Sequence, residues 1–133
     1  MFKIDNKTKQ ISITRGDVAL INFSTLNGDG SEYVFQANDV VRFKVFERKE
    51  SKMVHLIKDF KAIENQTSIE ISLTSEDTKI GELIDKPRKY WYEIELNPDT
   101  NPQTLIGYDD EGEKLFILYP EGGDKEWLKL KKY

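Results

Sequence analysis

Apolar and polar residues alternate with a period of two along most of this chain. Between Tyr90 and Leu96, the residues Tyr90, Tyr92, Ile94 and Leu96 alternate with Trp91, Glu93 and Glu95. Side chains of an extended strand point to opposite faces in turn, so this period predicts a half-buried antiparallel strand over Tyr90 to Asn97. The same signal predicts strands at Ile11 to Thr14, Val18 to Ser24, Val40 to Glu47, Val54 to Phe60 and Ser68 to Leu73. Gln103 to Asp109 and Glu113 to Tyr119 follow, and Tyr33 to Phe35 is short and β-prone. Val41, Phe43, Val45, Ile69, Ile71, Leu73, Tyr92 and Ile94 fall on the inner faces and are the expected core.

Turn chemistry separates these segments. Arg15-Gly16-Asp17 makes one corner, Asn27-Gly28-Asp29-Gly30 is a hairpin signal, and Asp109-Asp110-Glu111-Gly112 joins the last two strands. Ser75 to Asp85 alone has helical spacing: Ser75 caps, Glu76 and Asp77 suit a helix start, and Ile80, Leu83 and Ile84 share one face. Pro87 stops that turn. About eight or nine short strands with turns between them are the signature of a sandwich or a barrel.

A chain of 133 residues fits one domain. The segment 124–133 is set apart by the Gly122-Gly123 break and reads as an edge strand or a docking arm. Without cysteine there is no disulfide, zinc–thiolate site or thiol nucleophile. A net charge of −4 with both signs interspersed argues against nucleic acid, which selects a basic patch. No apolar run is long enough to insert into a membrane. The start Met-Phe-Lys-Ile-Asp lacks a signal peptide's apolar region, so the expected place of synthesis is a bacterial cytoplasm, without export by the ordinary route.

Candidate chemistry is sparse. His55 is the only histidine, which removes histidine triads and histidine-rich metal sites and leaves it as a packed or surface residue. Arg15-Gly16-Asp17 has the letters of an adhesion tripeptide but reads as a tight turn with its charges in water. Asn27 to Glu32 fails as a calcium loop, since Glu32 stands where such a loop needs glycine. The carboxylates of Asp109 to Glu113 suit either a loose divalent ion or a charged hairpin tip. Glu93 and Glu95 share a strand face, the residue type of a glycosidase pair, but outward glutamates are usually solvated. No catalytic residue, cofactor site or metal site is expected, and an enzyme is not.

The stronger candidates are surfaces. Trp91 lies among outward positions, as a residue under a loop, at a partner's surface or serving as a sugar platform does. Leu115, Phe116, Ile117, Leu118 and Tyr119 break the alternation, so both faces of that strand are covered. With Trp127, Leu130 and Tyr133 of the C-terminal segment, Trp91 and Leu115 to Leu118 make up the candidate interface.

The pieces ISITRGD, EDT, YWYEIEL and IGYDDEGEKLFILYPEG, with Asp39, Val41 and Phe43 in a D-x-V-x-F strand, together resemble small proteins of phage and prophage tails and baseplates of Gram-positive hosts. Some of these are similar to the N-terminal β-sandwich domain of baseplate upper proteins. The resemblance spans nearly the whole chain and is carried by turns and strands. It implies an all-β, immunoglobulin-like antiparallel β-sandwich. It also implies a non-catalytic structural component of a tail or baseplate, placed in the virion, with other tail or baseplate proteins and copies of itself as partners. Leu73 to Thr78 is similar to the corner before strand F of immunoglobulin variable domains, but no cysteine follows, so a true variable domain is excluded. The alternative from another class is a carbohydrate-binding module holding host glycan on exposed aromatics.

Overall fold

A computed structural model describes residues 1–48 and 53–121. Nine strands appear in chain order: β1 Phe2–Ile4, β2 Ile11–Thr14, β3 Ala19–Phe23, β4 Val40–Phe46, β5 Val54–Lys61, β6 Ile69–Leu73, β7 Arg88–Leu96, β8 Gln103–Ile106 and β9 Leu115–Tyr119. Seven form one sheet in the order β1-β2-β9-β7-β4-β5, with β8 also paired to β7; β3 and β6 form a second, two-stranded sheet. β7 pairs with β4 along one edge, while its other edge is shared by β9 near Arg88 to Trp91 and β8 near Ile94 to Leu96.

The alternation explains the layering. Val41, Phe43, Val45, Tyr90, Tyr92, Ile94, Leu96, Phe116 and Leu118 of the large sheet meet Ala19, Ile21, Phe23, Ile69, Ile71 and Leu73 of the small one in a single buried cluster. The eight residues expected in the core are all buried. Phe43 sits at the centre, stacked on Tyr92 with ring centroids 5.7 Å apart and edge-on to Phe116 at 6.4 Å.

Two expectations about fold are overturned. The sandwich is not wholly antiparallel, because β2 and β9 pair in parallel, Ile11 opposite Phe116 and Thr14 opposite Tyr119. The expected immunoglobulin-like antiparallel form therefore gives way to a mixed sandwich defined by its own strand order. Nor is there a helix among the described residues: the segment expected to form a helical turn at 75–85 is a compact turn followed by irregular chain. Thr74 and Asp77 make the reciprocal bonds of a helix start, but Thr78 is tied to the link between β2 and β3 and the turn goes no further. The Asp77 carboxylate accepts the Thr74 N–H at 2.8 Å and the Lys58 ammonium at 2.7 Å. The Thr78 hydroxyl donates to the Asp17 carbonyl at 2.7 Å and accepts the Gly16 N–H at 3.0 Å. Gly81 then turns at φ +65°, and Leu83, expected on the apolar face, is 77% exposed.

Thr78 is fully buried and ties this turn to the link between β2 and β3. Thr78→Val keeps the shape and strands the Gly16 N–H and Asp17 carbonyl. Urea unfolding is expected to register a loss of about 1–3 kcal/mol.

Smaller differences follow from length. β1 escapes the sequence pattern because three residues carry too little period, and Tyr33 to Phe35 forms no strand but is held by backbone bonds, Tyr33 N–H to the Thr25 carbonyl at 2.9 Å and Phe35 N–H to the Gln66 carbonyl at 2.8 Å. The strand expected at Gln103 to Asp109 ends at Ile106, and that expected at Glu113 to Tyr119 starts at Leu115. Among the described residues no helix is long and apolar enough to cross a membrane.

Candidate interaction surfaces

The outward face of the large sheet carries two kinds of residue. Lys44 on β4 reaches Glu95 at 3.0 Å and Glu93 at 3.8 Å on β7. Arg42 grips Asp59 of β5 through two bonds at 2.8 and 3.1 Å and touches Asp99 at 3.3 Å. That fork holds the Asp59 carboxyl below its usual range and raises the Arg42 guanidinium further. Exposed pairs of this kind each contribute about 0–1 kcal/mol, so they fix register and keep the face wet more than they stabilise it.

One end of the same face is apolar. Register sets Phe46 opposite Trp91 and Trp91 opposite Leu115, a row running across β4, β7 and β9. Ile117 lies two residues beyond Leu115 and is only 9% exposed, opposite the buried Ser12 of β2. Trp91 and Leu115 are half-buried. Beside them the chain after β8 folds back: the Lys114 ammonium bonds Asp109 at 2.8 Å and the Gly112 carbonyl at 3.2 Å. Tyr108 and Lys114 close over the indole edge, leaving a space of about 10 Å³ next to Phe46 and Trp91.

The candidate interface residues therefore separate. Trp91, Leu115 and Ile117 share the outward face, while Phe116 and Leu118 point into the core and are fully buried. Trp127, Leu130 and Tyr133 lie outside the described residues. Phe46 belongs to the row although sequence reasoning missed it. Its position out of phase with Val41, Phe43 and Val45 was the available signal.

A second surface lies where the small sheet stops. Among the described residues β3 has one partner strand, β6, which lies toward β5: the Lys58 ammonium of β5 reaches the Ser72 carbonyl of β6 at 2.8 Å. In an antiparallel ladder every second residue turns its N–H and C=O away from its partner. Beside β3 an apolar groove of about 510 Å³ lies between the sheets, against the β1–β2 hairpin, β7 and β8. Ile4, Ile21, Phe23, Leu26, Leu105 and Ile106 line it. Leu26, at its rim, is 64% exposed, and Leu20 on the outward face of the small sheet is 63% exposed.

The remaining candidates resolve into structure. Arg15 does not point its charge into water: its side chain is 11% exposed, bonds Glu121 at 2.6 Å and donates to the carbonyls of Ile80 and Gly81. His55 packs edge-on against Tyr90 with ring centroids 5.2 Å apart. The Lys114 ammonium and the Glu111 N–H occupy the Asp109 carboxylate and hold its pKa down. Glu93 and Glu95 are tied to Lys44. Among the described residues no group of three or more His, Cys, Asp or Glu side chains is placed to hold a metal. No family model, curated protein or solved structure matches the chain.

Proposed function

We propose that this chain is a non-catalytic structural component of a phage or prophage tail or baseplate, working through protein–protein contacts. The resemblance in ISITRGD, YWYEIEL and IGYDDEGEKLFILYPEG supplies the setting. The observation that supports the contact role is the half-buried Trp91–Leu115 pair on the outward face of the large sheet, seated on the buried Phe46 and bordered by the Arg42 and Lys44 ion pairs. An apolar, aromatic centre within a charged rim is the anatomy of a protein interface.

The test uses a strain carrying the gene among its prophage genes. Tail particles purified after induction should contain the chain in fixed proportion to the other tail proteins. A Trp91→Glu variant that keeps its fold by circular dichroism should be lost from those particles. Particles that lack the wild-type chain, or that retain Trp91→Glu at full occupancy, overturn the proposal.

A further inference from the structure

We propose that this chain forms a twofold dimer in which β5 of one copy pairs antiparallel with β5 of a second, joining the two large sheets edge to edge. This goes beyond the contact role of the Trp91–Leu115 pair and uses a different part of the molecule, so the two stand or fall separately.

β5 is the last strand of the large sheet, and among the described residues no strand pairs with its outer edge. At eight residues it is longer than β1, β3 or β6, the other strands that end a sheet. Neighbouring hydrogen bonds fix which of its backbone groups are free. The Asn97 N–H donates to the Val40 carbonyl at 2.8 Å, on the β7 side of β4, and the Ala62 N–H donates to the Asp39 carbonyl at 2.9 Å, on the β5 side. Successive residues of an antiparallel strand bond to opposite sides. Val41 and Phe43 therefore bond Phe60 and Lys58, their partners in the register, and Ile57, Asp59 and Lys61 direct N–H and C=O at the open edge. The side chains of those same three residues are exposed. A bulge at His55, where the register skips from Leu56 to Val54, bounds this regular stretch on one side. A turn in which the Gln66 N–H takes the Ile63 carbonyl at 3.2 Å bounds it on the other.

The side chains select a second copy. Twofold pairing of a strand with itself needs a sequence that complements its own reverse. The free backbone groups restrict it to registers that set odd-numbered residues opposite odd-numbered ones. With Phe60 opposite Phe60, Asp59 meets Lys61 of the second copy at two places, and Ile57 meets Ile63 at two more. One step either way sets Asp59 opposite Asp59 or Lys61 opposite Lys61, and a further step sets an apolar residue against a charged one. Ile57 and Ile63 are 54% and 70% exposed, and this register covers both. On the inner face the two half-buried Phe60 rings meet beside a groove of about 420 Å³ lined by Phe60, Ile63 and Ile69. Lys58, an inward lysine of the kind that guards an edge, is drawn beneath the sheet by the Ser72 carbonyl at 2.8 Å and Asp77 at 2.7 Å.

Charge reversal reads the register. In sedimentation velocity, the wild-type chain is expected to pass from monomer to dimer across a concentration series. Lys61→Asp and Asp59→Lys should each weaken dimerisation by about tenfold or more, since every charged pair across the edge then repels. An equimolar mixture of the two variants restores opposite charges at both places and should recover the dimer. Because the chain has no cysteine, disulfide linkage gives a second readout that leaves these charges intact. Ile57→Cys mixed with Ile63→Cys sets the substituted positions about 5.5 Å apart, within disulfide reach, whereas Ile57→Cys alone leaves them about 20 Å apart. On oxidation the mixture should link several-fold faster than Ile57→Cys alone. A wild-type chain monomeric at every concentration, single charge variants that dimerise as the wild type does, a mixture no more dimeric than its components, or equal linkage in the two cysteine samples would each overturn the proposal.

Discussion

Phe43→Ala is expected to lower stability by about 3–5 kcal/mol, the largest effect of any single core truncation considered for this fold. Phe43 has no exposed surface, stands between β5 and β7 on the central part of β4, and touches both Tyr92 and Phe116. The ladders on either side of β4 hold the backbone in place, so the space left by the ring cannot collapse. The loss then includes both transfer and cavity contributions. Urea unfolding measures it, and a change below about 1 kcal/mol would mean that the inward face of β4 has been misassigned.

Asp39→Ala should be the next most damaging change, on the order of 3 kcal/mol, because it strands several donors at once. Asp39 is 5% exposed and accepts bonds from the Tyr33 hydroxyl at 2.6 Å, the Gln36 N–H at 2.8 Å and the Asn97 amide at 2.9 Å. Burial alone pushes its carboxyl up, but the bonds from Tyr33, Asn97 and Gln36 outweigh burial and hold the pKa below the ordinary value. A pKa depressed on folding gives stability that is present above the unfolded value, near 4, and is lost as pH falls through the folded value. Burial and the same bond to Asp39 push the Tyr33 phenol up to about 12. Its contribution is complete below the phenol's unfolded pKa of about 10 and disappears as pH rises through the folded one. Stability measured against pH should fall at both extremes in the wild type, and Asp39→Ala should flatten both limbs. An unchanged profile in the variant would remove Asp39 from its place as the hub of this loop.

The strands with a clean period of two were legible because the period is a direct imprint of one buried face. Val41, Phe43 and Val45, or Ile69, Ile71 and Leu73, leave little choice of orientation. Which strand lies beside which was not legible, since the period is blind to partners. The unbroken run Leu115 to Tyr119 did signal cover on both faces, as strands in parallel pairing often show, but it could not name β2 as the neighbour. The turn at 75–85 misled because its start is capped as a helix's is, while Gly81 at φ +65° turns the chain away before Leu83 can join an apolar face. At the candidate surface, Trp91 stood out of phase in the sequence. Its companion Phe46 and the groove beside β3 emerged only from register and from a second sheet of two strands.

The parallel pairing of β2 with β9 sets an order of events in time. Ile11 meets Phe116, close to opposite ends of the described chain, so the β1–β2 hairpin waits for almost all of the described chain before it joins the rest of the sheet. Contacts so far apart in sequence close late and slowly, on a scale of about milliseconds to seconds for sheet-rich domains. On the ribosome, the hairpin of β1 and β2 therefore emerges well before the strand β9 that covers its edge. Its edge is the part of the nascent chain most in need of a chaperone's protection.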